Sequence, residues 1–192
     1  IVNGQAPDNL VEGGVLASLG GAAAAPDATA ADLRRFYAAP DVVPTVINRK
    51  LVILLNIGSG YRGHPPDTTI SEQFFSVRDF NAYGVIDTAA YPDTPVSIEQ
   101  LTDITDDPSP TLPFNTPGWR LRLNQGPGEK VLGESLTLEN TVFFTSFTPD
   151  DAANECSAGT GLNRLYAISS FDGSPRADLD RPGEIQPLTI SD

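Results

Sequence analysis

Residue types that do chemistry are scarce in this chain. It holds one histidine, His64, and one cysteine, Cys156. A zinc site draws three or four ligands mainly from such residues, so zinc is not expected. Ser59 sits directly between Gly58 and Gly60. A serine nucleophile elbow instead sets its glycines two residues away on either side and needs a histidine base, so Ser59 reads as a small turn residue. His64 lies in Arg-Gly-His-Pro and reads as closing a turn through a backbone hydrogen bond. Two acidic groups remain: Asp103, Asp106 and Asp107 in one loop, and Asp150, Asp151 and Glu155 in another. Either offers oxygen ligands for a weak calcium site, but neither has the glycine-centred spacing of a calcium loop, and a solvated loop is the plainer reading. No pair of carboxylates is singled out for glycoside hydrolysis. No catalytic, cofactor-binding or metal-ligating residue is therefore assigned, and no enzyme is expected. Cys156 is either a free, partly buried thiol or a half-cystine whose partner lies outside the chain.

The elements that would hold these residues read as strands. Val42 to Ile47 is β-branched and carries Pro44, the mark of an edge or a bulge. Asn48-Arg49-Lys50 is a turn, and Leu51 to Ile57 is a continuous apolar run, so the two segments read as a hairpin. Phe74 to Asp79 alternates as a half-buried strand. Trp119 to Leu123 alternates strictly, and Gln125 to Gly128 is a turn. Lys130 to Leu138 and Thr141 to Phe147 are strands joined at Glu139-Asn140. Arg164 to Phe171 is a strand running into the Asp172-Gly173 turn, and Ile185 to Ile190 reads as a last strand. Pro26 to Phe36 reads as one short helix capped by Asp27. Val11 to Gly21, broken by glycines, reads as a strand with tight turns. Residues 87–118 hold six prolines and several acids and read as a long surface insertion, with one helical turn near Val96 to Leu101. The aromatic residues fall mostly on strands and read as core, not as a sugar-stacking platform. The chain is thus a single all-β domain over residues 1–192, of antiparallel, meander-connected strands arranged as a sandwich or a propeller.

Composition agrees. The chain has 192 residues, 17 Gly and 17 Pro, which favours turns over long helices. The formal net charge of −13 opposes both nucleic acid and anionic lipid surfaces. The longest apolar run, Leu51 to Leu55, is too short to span a bilayer. There is no methionine, not even at position 1, so the chain is expected to begin inside a longer precursor or after a processing site. Ile1-Val-Asn-Gly4 is similar to the mature start of trypsin-like proteases. The single histidine has the wrong context, however, and no nucleophile loop follows.

An ordered set of segments resembles the C-terminal propeller of the type IV pilus tip-associated adhesins, the PilC/PilY family. It comprises Gly13-Gly-Val-Leu-Ala-Ser-Leu-Gly-Gly21, Arg35-Phe-Tyr37 with Pro40-Asp-Val42, and Ile57-Gly-Ser-Gly-Tyr-Arg-Gly-His-Pro65. Phe74-Phe-Ser-Val-Arg-Asp79, Gly118-Trp-Arg-Leu-Arg-Leu123, Gly128-Glu-Lys-Val-Leu132 and Val142-Phe-Phe-Thr-Ser-Phe-Thr-Pro149 follow. Cys156, Asn163-Arg-Leu-Tyr-Ala-Ile168 and Phe171-Asp-Gly-Ser-Pro175 close it. The resemblance implies a partial β-propeller of about three to four blades with long loops, Trp119 packing between blades, and 87–118 as a loop insertion. It implies an extracellular, cell-surface adhesion and pilus-assembly role, with function in loops 87–118 and 149–163. The expected partners are minor pilins or the rest of the propeller, and a host or abiotic surface. The family's calcium loop does not appear here, so calcium would belong to the parent protein. Two other readings stay open. Open propeller edges would suit a self-assembling extracellular filament subunit. Leu165-Tyr-Ala-Ile168 with Asp172-Gly173 also resembles blade repeats of quinoprotein enzymes.

Overall fold

A computed structural model describes residues 14–21, 32–82, 94–107, 109–150, 161–176 and 187–188. Twelve strands, β1 (Ala17–Ser18), β2 (Asp41–Ile47), β3 (Lys50–Gly58), β4 (Gln73–Asp79), β5 (Val96–Ser97), β6 (Thr102–Asp103), β7 (Gly118–Arg122), β8 (Lys130–Val131), β9 (Leu136–Leu138), β10 (Thr141–Thr148), β11 (Leu162–Ser169) and β12 (Pro187–Leu188), account for the described fold with one 3-10 turn at Ile98–Gln100. The all-β class holds. The first large sheet has the order β2-β3-β4-β7-β6. The second runs β12-β11-β10-β8, with β9 also on β10, and β1 and β5 form a small third sheet. Neither large sheet closes into a barrel among the described residues. Most pairings are antiparallel meanders, but β6 with β7 and β1 with β5 are parallel, so the sheets are mixed.

Two-residue turns set the register. Asn48 and Arg49 take φ of 48° and 64°, and Glu139 and Asn140 take 48° and 62°. Two consecutive left-handed residues twist a tight hairpin the right way, and asparagine tolerates that region. The first turn places Ile47 opposite Lys50, so Ile47, Thr45, Val43 and Asp41 bond inward to β3. Pro44 then sits where its missing N–H faces the free edge of the sheet. It costs no ladder bond and removes the middle donor of that edge.

β4 is buried along its whole length, not half-buried as its alternation suggests. It lies in the middle of the first sheet with a layer on either face. On one face Phe74 and Trp119 meet Val142, Phe144, Tyr166 and Ile168 of the second sheet. Phe74 stacks on Phe144 at 3.9 Å between centroids, and Phe144 stacks on Tyr166 at 4.6 Å. On the other face Phe75, Val77 and Leu101 are covered by Leu16, Leu19, Phe36, Val96 and Ile98. Each such side chain taken fully out of water contributes roughly 1.5–3 kcal/mol.

Several expectations change here. The described part of 87–118 is not a surface insertion. It contributes β5, the 3-10 turn and β6, and buries Leu101 and Ile104 because apolar residues interrupt its prolines. The helical turn expected near Val96 to Leu101 is the 3-10 turn. Of the helix expected over Pro26 to Phe36, residues 26–31 lie outside the described residues. Leu33 to Phe36 is not helical, because Arg34 N–H bonds Gly20 O at 3.0 Å and Phe36 packs under β4. The strand expected over Lys130 to Leu138 is split into β8 and β9, which meet opposite ends of β10. Gly58 and Gly60 serve close approach more than bending. A Cβ on Gly58 would lie 2.5 Å from the Val131 side chain, and one on Gly60 would lie 2.0 Å from Val131 O. Of the last strand expected, residues 187–188 are described and pair with β11.

Pro44→Thr tests the edge assignment. It should leave the urea midpoint unchanged or slightly raised, since threonine suits a strand. It should also increase self-association seen by light scattering, because the edge regains its donor. A variant as monodisperse as the parent would contradict the assignment.

Candidate functional site

The residues that drew attention as possible chemistry do not converge. Ser59 is fully buried and accepts from Gln73 N–H at 2.9 Å. The His64 backbone N–H bonds Tyr61 O at 3.2 Å, the expected turn closure, while its ring is exposed. Asp103 pairs with Arg120 at 3.2 Å and Arg122 at 3.1 Å, and also accepts from Thr105. Asp106 pairs with Arg122 at 3.3 Å, and Asp107 accepts from Ser109 N–H. The acids of this loop thus neutralise β7 and close their own turns. Among the described residues no three His, Cys, Asp or Glu side chains group as a metal site would. Cys156, Asp151, Glu155 and Ile1 to Gly4 lie outside the described residues, as do 87–93 and 151–160 of the two expected functional loops.

Charge does enter the core, just after the turn at residues 125–128. Glu129 and Lys130 are both buried and point to different partners. Glu129 accepts from Ser146 Oγ, from Tyr166 Oη at 2.7 Å and from Gln125 N–H at 2.8 Å, with Arg164 Nη1 at 3.8 Å. Burial beside this carboxylate pushes the Tyr166 phenol far above its ordinary range, so it stays a donor. Lys130 Nζ donates to Pro65 O at 2.7 Å and to Asp67 O, tying the 61–68 loop to the sheets. Desolvation lowers its pKa, opposed by Asp67 and Glu72.

Glu72 is the exception. It is 1% exposed, and neither carboxylate oxygen has a hydrogen-bond partner. Desolvation raises its pKa; Ser59 Oγ and the Tyr61 amide, near its oxygens but outside hydrogen-bond geometry, and the charges of Lys130 and Arg34 oppose that rise. No local pattern in Ser71-Glu72-Gln73 signals this. The carboxylate is trapped because its strand neighbours are buried on both faces.

The surface carries the other feature that stands out. On the outer face of the first sheet the pairs Val42↔Leu55, Pro44↔Ile53 and Val46↔Leu51 bring together six apolar residues and no polar one. Val42, Val46 and Leu51 are more than half exposed. The outer face of the second sheet carries Leu136 and Leu138, each 63% exposed, beside Phe143 and Leu165. Phe143 and Leu165 are half-buried. Isolated exposed apolar residues are ordinary; the first sheet presents paired apolar rows, whereas on the second Leu138 and Leu165 lie opposite Thr141 and Thr145. Phe74, Phe75, Trp119, Phe144 and Tyr166 are core as expected, while Tyr37, off the strands, is exposed and Tyr61 half-buried. No described helix is long and apolar enough to cross a membrane. The chain matches no protein-family model, no curated protein and no solved structure.

The trapped carboxylate has a measurable cost. A raised folded pKa means that the stability tied to this group is complete below its unfolded pKa and is lost as pH rises through the folded one. Glu72→Gln should therefore raise the urea midpoint at neutral pH, by the order of a buried unsatisfied group, about 1–3 kcal/mol. The gain should shrink at pH values below the ordinary glutamate range. An equal or lower midpoint at neutral pH would show that Glu72 is a net stabilising partner of Lys130 and Arg34.

Proposed function

We propose that the chain is a non-enzymatic, extracellular binding module of a type IV pilus tip adhesin, belonging to a larger β-propeller. The observation that carries this reading is the exposed apolar patch left on the outer side of each packed sheet, Val42, Val46 and Leu51 on the first and Leu136 and Leu138 on the second. A blade inside a propeller is covered on both faces by its neighbours, so both faces are apolar. A free-standing two-sheet sandwich turns polar residues outward.

The segments that carry the family resemblance support the same reading by where they fall. Ile57-Gly-Ser-Gly60 meets Val131 of Gly128-Glu-Lys-Val-Leu132. Trp119 is fully buried, with its indole N–H on Ser170 O at 3.3 Å, just ahead of Phe171-Asp-Gly-Ser-Pro175. These segments build the contact between the sheets, and in the proposed propeller Trp119 would pack between blades there. The partners are the remaining blades or minor pilins, and the activity is attachment and pilus assembly.

The same faces favour a second reading, a self-assembling extracellular filament subunit. Arg49 and Lys50 flank the first outer face, while Glu134 and Glu139 flank the second, and all four are exposed. Unlike faces with complementary charge add head to tail without closing.

Immunogold labelling with antibody to this chain tests the leading reading: label is expected at the tips of type IV pili, and label along the shaft or none would reject it. Light scattering with Val46→Lys separates the second. Stacked copies should show a mass above 20.4 kDa that falls to the monomer in the variant. Capture of the parent chain by minor pilins should weaken about tenfold or more in Val46→Lys, because a lysine buried at an interface is costly.

A further inference from the structure

The molecule is strongly acidic, yet one surface gathers arginine and tyrosine. Arg35 and Tyr37 precede β2, and Tyr61, Arg62 and His64 follow β3. Both segments are drawn together by the Gly60 N–H on Arg35 O at 2.9 Å. The Arg35 guanidinium lies over the Tyr61 ring, 3.9 Å from its centroid. The His64 ring is 6.0 Å from that of Tyr61. Arg35, Tyr37, Arg62 and His64 are exposed.

The floor between the two tyrosines is Gly63. A Cβ there would sit 3.2 Å from Tyr61 Cε2 and 3.6 Å from Tyr37 Oη, so Gly63 lies close to both tyrosines. The loop is held from below. His64 N–H bonds Tyr61 O, Asp67 N–H bonds His64 O, and buried Lys130 grips Pro65 O and Asp67 O. Asp67, the one acid within the loop, accepts from Thr69 N–H and Oγ with one carboxylate oxygen, each at 2.8 Å. A surface whose shape is fixed before binding loses little ordering entropy on contact.

We propose that this patch is a binding site for a carboxylated polysaccharide. Arginine meets a carboxylate with two parallel hydrogen bonds, and Arg35 is pre-oriented by its stacking on Tyr61. An aromatic ring presents a negative face, which attracts the polarised C–H bonds on the flat side of a pyranose. Tyrosine hydroxyls add donors and acceptors for sugar hydroxyls. With Arg35 over Tyr61, Tyr37 is the ring that offers a face, and Arg35 and Arg62 with Tyr37 match a repeating unit with one carboxylate and one apolar sugar face. An acidic peptide would supply the charge but no such face. The inference stands on this patch alone and does not depend on where the chain sits on a cell.

Interferometry with immobilised polygalacturonate tests it, using dextran and polyglutamate as controls. The parent chain should bind polygalacturonate and not dextran, and added salt should weaken binding as the charges are screened. The double variant Arg35→Ala/Arg62→Ala should bind at least about tenfold more weakly, as expected for lost charge-assisted hydrogen bonds. Tyr37→Ala, which removes only an exposed side chain, should also weaken binding. Arg62→Glu alone, on an exposed loop position, serves if the double variant fails to keep the parent urea midpoint. No binding to polygalacturonate, equal binding to polyglutamate, or variants that bind like the parent would overturn the proposal.

Discussion

The stacking of Phe74 on Phe144 joins two sheets that would otherwise be separate ribbons. Phe74 comes from the middle of the first sheet and Phe144 from the middle of the second, and Trp119 and Tyr166 extend the stack on either side. Stacked aromatic side chains remove a large apolar area from water in one fixed orientation, so this line carries both burial and orientation. Everything else positions itself against it. Gly58 and Gly60 lack side chains because β8 must pass beside them to bring β10 over Phe74. Trp119 can be fully buried because its N–H finds Ser170 O, at the turn that ends β11.

Such close sheet packing leaves no route to water for the polar groups at its margin. Glu129 and Glu72 show two outcomes. Glu129 lies where three donors converge, so its charge is held by hydrogen bonds. Glu72 lies one step before β4, where the backbone is already committed to the sheet. Its own carbonyl accepts from Leu123 N–H and the preceding Ser71 O accepts from Arg34 Nε, while its side-chain oxygens accept nothing. Lys130 is buried at the same margin, and its ammonium is satisfied by loop carbonyls instead of by Glu72. The stiffness of the 61–68 loop is thus a consequence of the same packing that strands Glu72.

The sequence makes the strands legible where alternation and turn chemistry agree. The β2–β3 hairpin, β7, β10 and the Asp172-Gly173 turn all stand where apolar periodicity and turn residues place them, and Pro44 stands on an edge. What it does not make legible is which faces are shared. Phe74 to Asp79 alternates apolar and polar residues, yet Ser76 and Arg78 are buried because they bond Ser170 O and the carbonyls of Pro113, Phe114, Thr116 and Phe171. Alternation reports side-chain type, not whether a loop arrives to satisfy a polar group. Prolines made 94–107 read as a loop, although Leu101 and Ile104 carry it into the core. The surface patch escaped for a similar reason. Tyr37 and Tyr61 lie 24 positions apart, and their segments are brought together by tertiary contacts, the hydrogen bond from Gly60 to Arg35 and the Arg35 guanidinium on Tyr61.

An acidic chain with two apolar sheet faces must control how it associates. Free edges and free faces are different risks. An edge pairs with any strand through backbone groups, whatever the sequence, whereas a face is read through side chains and can be selective. Pro44 removes a donor from the centre of the β2 edge at no cost inside the sheet. Arg122, Arg120 and Asp103 lock β6, the other edge of that sheet, to β7 by ion pairs. The faces carry no comparable device. Val42, Pro44 and Val46 project from the same strand whose edge is blunted, so association at β2 is steered from backbone pairing to side-chain packing. Strand addition by unrelated chains is thereby disfavoured at this edge, while the apolar side chains of β2 stay available for packing.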